Sequence, residues 1–258
     1  MEERLSPYRP SGLSRNSLRL LGLAIAALGI LGRGILQNRV LGQASGTDLS
    51  QLLEASPEAM NAATAAIVLW AIEGAAVPIF SVLTVSGFSR TSSVNNYLLR
   101  LLLLALVSQV PYHLALTGVP FRLFPLNPVF GLALVVAMLY LLRYYGAPSV
   151  KNGFIRILVL LAAMMWAGMG RVEYGIPMVL VSFFLWTLRD RHTMAYFAAA
   201  AAALLCTVGN PLFLFAPLGL LLTHFYNGEP GRESPRLLRY ALYPVILLLT
   251  ALAGWLLF

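Results

Sequence analysis

The sequence YLLRLLLLALVSQVPYHLALTGVP, residues 97–120, is apolar over its first two thirds and then becomes polar without leaving the helical pattern. About 20 apolar residues in helical form cross a hydrocarbon core of roughly 30 Å, because each backbone amide then finds its partner within the helix. Gln109 and His113 lie four residues apart at the polar end, so they share one face of the helix. The stretch therefore predicts a membrane-spanning helix with a polar site near one end.

The whole chain has the composition of a membrane protein. Hydrophobic residues make up 59% of it and charged residues 11%, and its mean hydropathy of +0.78 lies outside the range of soluble domains. The apolar segments are 18–36, 59–88, 96–117, 126–143, 153–169, 173–188, 193–208, 210–226 and 238–257. They predict an all-α fold, a polytopic transmembrane helix bundle of about eight to nine transmembrane helices in a lipid bilayer.

The chain is predicted to form one domain preceded by a short tail. Residues 1–17 are polar and contain Pro and Ser, so we expect a cytoplasmic N-terminal tail there, followed by a single transmembrane helical domain over 18–258. The sequence SPEAMNAA predicts a helix that Ser56 caps. Gly209-Asn210-Pro211 interrupts the stretch 193–226, which forms either two spans or one re-entrant unit.

The predicted spans place most Lys and Arg residues on one side of the membrane. Cytoplasmic loops of membrane proteins carry such an excess of positive residues. With a cytoplasmic N-terminus, fourteen of the eighteen Lys and Arg residues are cytoplasmic, and the other four are Arg33, Arg39, Arg122 and Arg171. We therefore predict a multi-pass protein of the cell membrane whose C-terminus is extracytoplasmic. The net charge of +8 reflects this topology and contact with anionic lipids, and it does not indicate a nucleic-acid partner.

The sequence contains no motif for a metal or a nucleotide. It has no P-loop, no GxGxxG motif between a strand and a helix, and no Cys/His metal spacing. Cys206 is a single cysteine, so it forms no internal disulfide. We predict no metal site.

Polar residues collect in the half of the membrane that the topology places outside. The candidate substrate-binding residues in this group are Arg33, Gln109, Arg122, Asn127, Arg171, Glu173 and Tyr174. Because lipid disfavours so many polar groups, we expect one cavity, approached by Glu73, Gln109, His113, Asn127 and Arg171. The alternatives are a headgroup contact for His113 and simple solvation for Arg122 and Arg171.

Glu73 is the most informative of the polar residues. It lies midway along the segment 59–88, where a charge costs about 2.5 to 3.5 kcal/mol, so it should be neutral, paired or in a wet cavity. Arg33 or Arg171 is its expected partner. Pro78, five residues further on, can open the helix locally. Glu73 and His113 are the candidate catalytic residues.

Several longer stretches carry a resemblance to a family. They are VPIFSVLTVSGFSRTSSVNNYLLRLLLLALVSQVPYHLA (77–115), LNPVFGLALVVAMLYLL (126–142), EYGIPMVLVSFFLW (173–186) and APLGLLLTHFYNGEPGRESPRLLRYALYPVILLL (216–249). In this order they resemble TraX-family membrane proteins. The resemblance implies a multi-pass protein akin to the conjugative pilin N-acetylase and to membrane acyltransferases, with acetyl-CoA or acyl-CoA as donor.

The chain also departs from the family pattern at residues that bear on the chemistry. The family's Asp-His pair in the first helix is absent from AALGILGRGIL, and the histidine that usually follows Tyr-Pro is replaced in YPVILLL. The Asp before Tyr-Gly is Glu173, and the Glu after the serine of the third helix is Gln109. The resemblance therefore implies an inherited fold with altered or lost catalytic residues.

Two classes of function remain open at the level of sequence. In the first, an acyltransferase of altered chemistry acts on a peptide or small-molecule acceptor, with Glu73 or His113 as base and Arg33 or Arg171 stabilising negative charge. In the second, a non-catalytic protein binds a ligand, takes part in transport or serves assembly. A tunnel open to the cytoplasmic side would favour the first class, and a cavity open only outward the second.

Overall fold

The computed structural model describes residues 12–41, 56–232 and 235–257, and this part of the chain is helical. The helices are α1 (Arg15–Leu31), continued by a π-helix (Gly32–Leu41), α2 (Pro57–Glu73), α3 (Ala76–Arg90), α4 (Val94–Thr117), α5 (Pro128–Tyr144), α6 (Val150–Met169), α7 (Gly175–Thr187), α8 (His192–Leu205), α9 (Ala216–Thr223) and α10 (Arg236–Leu257). Most of the predicted tail, 1–11, and most of the first long connection, 42–55, lie outside the described residues.

Five helical stretches are long and apolar enough to cross a membrane. They are Arg15–Gln37, Pro57–Arg90, Val94–Thr117, Val150–Met169 and Arg239–Leu256. Four shorter apolar helices are Pro128–Tyr144, Gly175–Thr187, His192–Val208 and Pro211–Thr223. The all-α prediction is therefore confirmed, and each of the predicted apolar segments coincides with helix.

Local sequence explains where several helices begin and end. Ser56 accepts a hydrogen bond from the Ala59 amide at 3.2 Å, so the predicted cap of α2 is confirmed. Asn127 caps α5 in the same way, through the Val129 amide. At the other end of α4, Gly118 has a φ of 69°, a left-handed conformation that glycine adopts without steric cost.

A break between α2 and α3 interrupts the long predicted segment 59–88. Gly74 and Ala75 keep helical φ and ψ, but the Gly74 carbonyl accepts from the Val77 amide at 3.3 Å and not from the residue four positions on. That residue is Pro78, which has no amide proton and whose ring crowds the carbonyl of residue 74. Pro78 thus opens the helix one turn before itself, next to Glu73.

The stretch 193–226 is more broken than either sequence interpretation assumed. After α8 the chain forms two 3₁₀ turns, Cys206–Val208 and Pro211–Phe215, and then the eight-residue helix α9. A Cβ at Gly219 of α9 would overlap the carbonyl of Ala75, so α9 lies directly against the α2–α3 break. This contact holds α9 beside Glu73.

The core sits around α3, α5 and α7. Its fully buried side chains include Val85, Phe88, Leu139, Val181 and Leu185. By contrast, only 11% of the most apolar stretch of α6 is buried inside the protein. Since exposed apolar helices are covered by lipid in a membrane protein, α6 lies at the periphery of the bundle and α3 at its centre.

The start of α1 is tied to the segment that follows α9. The Leu13 amide donates to the Phe225 carbonyl at 2.7 Å, and the Asn227 amide donates to the Leu13 carbonyl at 3.0 Å. The Arg15 amide donates to the Glu229 carbonyl at 2.8 Å. This short parallel contact fixes the first helix to the last third of the chain.

Candidate functional site

A cavity of about 340 Å³ runs between α1, α3, α4, α5 and α10. Along α1 it is lined by residues spaced three or four apart, Arg15, Arg19, Leu23, Ala26, Ile30 and Arg33, which is one face of a helix. Eighteen residues at 1.5 Å each give the cavity a length of about 27 Å along this face. Between its two polar ends the lining is mostly apolar, for example at Leu83 and Leu104.

A buried ionic cluster forms one end of the cavity. Arg33 Nη2 donates to Glu73 Oε1 at 2.7 Å, and Arg33 Nη1 donates to Glu173 Oε1. Relative exposure is 8% for Arg33 and 4% for Glu73. The predicted Arg33–Glu73 pair is thus confirmed, and Glu173 joins it.

Close approach of α1 and α2 brings Glu73 to Arg33. A Cβ at Gly29 would overlap the Glu73 carboxylate, and a Cβ at Gly32 would lie 2.8 Å from Leu69 Cβ. Only glycine leaves enough room at these two positions of α1. The small residues around Arg33 therefore allow the buried ion pair to form.

The turn between α6 and α7 presents Glu173. Arg171 and Tyr174 have positive φ angles of 44° and 55°, a conformation that costs non-glycine residues about 1–3 kcal/mol. The Glu173 amide donates to the Leu126 carbonyl at 2.9 Å. This turn holds the partly buried Glu173 carboxylate against Arg33.

Aromatic residues that the sequence analysis did not single out complete the cluster. Tyr112 donates from its hydroxyl to Glu173 Oε2 at 2.6 Å. Trp70 Nε1 donates to the Tyr174 hydroxyl at 2.9 Å, and the Arg33 guanidinium lies 5.7 Å from the Trp70 ring centroid. Tyr112 directly precedes His113, but an aromatic residue in an apolar helix gives no sequence signal of a polar contact.

Gln109, His113 and Asn127 form a second, separate network. Gln109 Oε1 accepts from the Asn127 side chain at 2.8 Å, while Gln109 Nε2 donates to the Pro125 carbonyl at 3.0 Å and lies 2.9 Å from His113 Nε2. Asn127 in turn donates to the Ala105 carbonyl at 2.7 Å. The network joins α4 to the start of α5.

This network also fixes the tautomer of His113. The Gln109 amide nitrogen is always a donor, so His113 Nε2 accepts from it and the imidazole proton is assigned to Nδ1. His113 Nδ1 is buried and has no hydrogen-bond partner within the described part of the chain.

The expectation of one shared cavity needs correction. Glu73 lines the cavity of the ionic cluster, but Gln109, His113, Asn127 and Arg171 do not. Gln109, His113 and Asn127 instead form hydrogen bonds with one another in the second network. Neighbouring polar groups at one helix end pair with each other more easily than they reach a distant cavity.

The two loop arginines lie outside both networks. Arg122 and Arg171 are exposed, which agrees with the alternative of simple solvation. Of the two partners predicted for Glu73, Arg33 and Arg171, the structure pairs Glu73 with Arg33.

The ionic cluster has the groups that acid–base chemistry requires. One guanidinium faces two carboxylates, and Glu73 Oε2 is buried with no hydrogen-bond partner among the described residues. A carboxylate that lines a cavity can accept a proton from a ligand bound there. No group of three or more His, Cys, Asp or Glu residues that could hold a metal ion occurs in the described ranges.

Comparison with known proteins gives one match. The TraX protein family model matches residues 60–253, more than half of the chain. A search of curated proteins and a search of solved structures returned no match. The match includes Glu73, Tyr112 and Glu173 but starts after Arg33.

Proposed function

Because the chain belongs to the TraX family, we propose that it is a membrane-embedded acyltransferase that uses a CoA-type donor and the ionic cluster as its reaction site. The observation that carries this proposal is Glu73. Its Oε1 is held by Arg33, its Oε2 has no hydrogen-bond partner within the described residues, and the residue lines a cavity with an apolar middle.

The reaction is an acyl transfer from a thioester to an acceptor amine or hydroxyl. The acceptor proton passes to Glu73, the acceptor atom bonds to the acyl carbon, and the carbon–sulfur bond breaks. The departing thiolate takes this proton from Glu73 and leaves as the free thiol, which regenerates the Glu73 carboxylate. Arg33 lies beside this carboxylate and stabilises the negative charge that develops on the acyl oxygen.

The structure also supports a division of roles between the two carboxylates. Glu173 accepts from Arg33 and from Tyr112, so both of its oxygens are engaged. Glu73 has one engaged oxygen. We assign Glu73 as the base and Glu173 as the residue that positions Arg33, while His113, whose Nε2 is occupied by Gln109, acts in the second network.

Orientation and span number belong to the same proposal. We place the N-terminus in the cytoplasm, the C-terminus outside and up to nine spans in the cell membrane, on the fourteen-to-four distribution of Lys and Arg. In this orientation the arginine-lined end of the cavity faces the cytoplasm, where an acyl-CoA donor is available. That arrangement favours an enzyme over a ligand-binding or transport protein open to the outside.

The experiment that tests the proposal compares Glu73→Gln with Glu58→Gln. Purified protein is incubated with radiolabelled acetyl-CoA or a longer acyl-CoA and with amine-bearing and hydroxyl-bearing peptides or small molecules. Glu73→Gln keeps size and hydrogen bonding but removes the base, so we expect transfer to fall about 100-fold or more with normal membrane insertion. Glu58 is exposed in the first turn of α2, so the same substitution there should leave the rate unchanged. Transfer by Glu73→Gln at the wild-type rate would exclude Glu73 as the base.

A further inference from the structure

The end of the cavity opposite the ionic cluster is positively charged. Arg15, Arg19 and Arg239 line it, and Tyr240 lies beside them. The two carboxylates that line the cavity, Glu73 and Glu173, belong to the other end. The cavity therefore has a cationic opening, an apolar middle and an acidic inner end.

The three arginines come from two different helices. Arg15 and Arg19 lie one turn apart on α1, and Arg239 lies on α10, close enough to Arg19 for their like charges to repel. Folding places these charges at one opening in spite of that repulsion. An anion bound between them would offset it.

The polar contacts of the two α1 arginines leave capacity for a ligand. Arg19 Nη2 donates to Asn16 Oδ1 at 2.6 Å, but Arg19 Nε is buried without a partner among the described residues. Arg15 Nε makes a long contact of 3.5 Å to the Tyr226 hydroxyl. A buried guanidinium donor without an acceptor is costly unless a bound group supplies one.

The arginine end is more exposed than the end at the ionic cluster. Arg15, Arg19 and Arg239 are partly exposed and Tyr240 is 37% exposed, whereas Tyr112 at the ionic cluster is 3% exposed. A ligand therefore enters past the arginines. Its anionic group stays at the opening while its chain extends along the apolar lining.

We propose that Arg15, Arg19 and Arg239 form a phosphate-binding site for a phosphorylated amphiphile whose chain occupies the cavity and reaches the Arg33 cluster. Arginine binds phosphate oxygens with two parallel hydrogen bonds, and an apolar channel accepts an alkyl or pantetheine-like chain. As a site for an acyl-CoA donor it rests on the proposed function, whereas an anionic phospholipid offers the same phosphate and chain. Both sources share the chemistry of this site.

Equilibrium binding to the purified full-length protein tests the site without requiring any turnover. The probes are palmitoyl-CoA, CoA and dioleoyl phosphatidate, each measured for the wild type, for Arg15→Gln/Arg19→Gln and for Arg100→Gln. We expect the double variant to weaken binding of at least one phosphorylated probe about tenfold or more. Arg100 is exposed near the start of α4 and does not line the cavity, so its substitution should leave affinity unchanged.

Further variants separate a local effect from misfolding. Arg19→Lys keeps the charge and should retain more affinity than Arg19→Gln, while Ala26→Trp should obstruct the apolar middle and weaken palmitoyl-CoA more than CoA. Weaker binding of CoA probes identifies the donor as the source of the phosphate, and weaker binding of phosphatidate alone identifies a phospholipid.

Two results would each contradict one of the proposals. Equal affinity of the wild type and Arg15→Gln/Arg19→Gln for all three probes would overturn the site. Binding of the probes by the wild type without any acyl transfer would refute the proposed function and leave the phosphate site intact.

Discussion

Arg33 makes contacts that span most of the chain, to Glu73, which is 40 residues away, and to Glu173, which is 140 residues away. Its side chain is 10% exposed, and that of Glu73 is 5% exposed. A guanidinium at this depth requires its partners, because an isolated buried charge is very costly. The pair therefore stabilises the packing of α1 against the rest of the bundle only as long as both partners are present.

Replacing Arg33 tests this dependence. We expect Arg33→Met to lower the free energy of unfolding by about 3–5 kcal/mol, because it leaves the buried Glu73 carboxylate and the partly buried Glu173 carboxylate without a cation. The control is Arg122→Met, an exposed arginine on a loop, which should change stability by about 0.5 kcal/mol or less. Unfolding in mixed detergent micelles gives both values, and equal stability of the two variants would contradict the interpretation.

At the residue scale the sequence predicted the charged members of the site and Tyr174 but missed Tyr112 and Trp70. A Glu and an Arg inside apolar segments are conspicuous because lipid penalises them. Tyr112 and Trp70 are ordinary residues of a membrane helix, so only the folded arrangement reveals their hydrogen bonds. Gln109 and His113 were correctly linked by their spacing, but spacing on one helix does not tell which cavity, if any, they face.

The contact between α1 and α2 depends on glycine at the element scale. Gly29 of α1 lies against the Glu73 side chain of α2, and Gly32 lies against Leu69. Small residues let two membrane helices approach closely, which strengthens van der Waals contact in the absence of a hydrophobic driving force between them. Here the close approach also sets the position of a carboxylate.

Adding a single methyl group to this contact should disturb the site. We expect Gly29→Ala to lower the free energy of unfolding by about 1–3 kcal/mol and to reduce acyl transfer, since the new Cβ overlaps the Glu73 carboxylate. Gly168→Ala is the matched control, because a Cβ there meets no atom within 4 Å, and alanine in a helix should stabilise by about 0.5–1 kcal/mol. Unfolding curves and transfer rates measure both effects. A neutral Gly29→Ala would mean that α1 and α2 are less tightly packed.

Helix positions were predictable and helix breaks less so. The predicted segment 96–117 became Val94–Thr117, and 153–169 became Val150–Met169, because apolar length and serine caps define such helices locally. The break at Gly74 was predictable, because Pro78 removes a helical hydrogen bond there, whereas the 3₁₀ turns after α8 and the packing of Gly219 against Ala75 involve distant elements. Periodicity within one segment carries no record of these contacts.

At the scale of the whole molecule, the cavity joins two ends of opposite charge across the bundle. The arginine opening shares its end of the bundle with the Arg90–Gly228 contact, in which Arg90 Nη1 donates to the Gly228 carbonyl at 2.7 Å. The α4–α5 loop lies at the other end of α4. The orientation of the cavity in the membrane determines whether a ligand enters it from the cytoplasm or from outside the cell.

Labelling of single cysteines determines this orientation. In a Cys206→Ala background, we expect an impermeant maleimide to modify Leu123→Cys in intact cells and to spare Ala147→Cys and Glu229→Cys, all three being exposed positions. The reason is the concentration of Lys and Arg on the side of residues 147 and 229. Permeabilised cells, in which all three should react, provide the control. Labelling of residues 147 and 229 from outside would invert the topology.

The separations of 40 and 140 residues within the ionic cluster also set an order of events during synthesis. At roughly 5–20 residues per second, Glu73 follows Arg33 by about 2–8 s and Glu173 follows it by about 7–28 s. The Arg33–Glu73 pair is therefore the first contact of the ionic cluster available to the growing chain, and Glu173 is added to a pair that is already neutral. The nascent protein thus spends only the shorter interval with an unmatched cation.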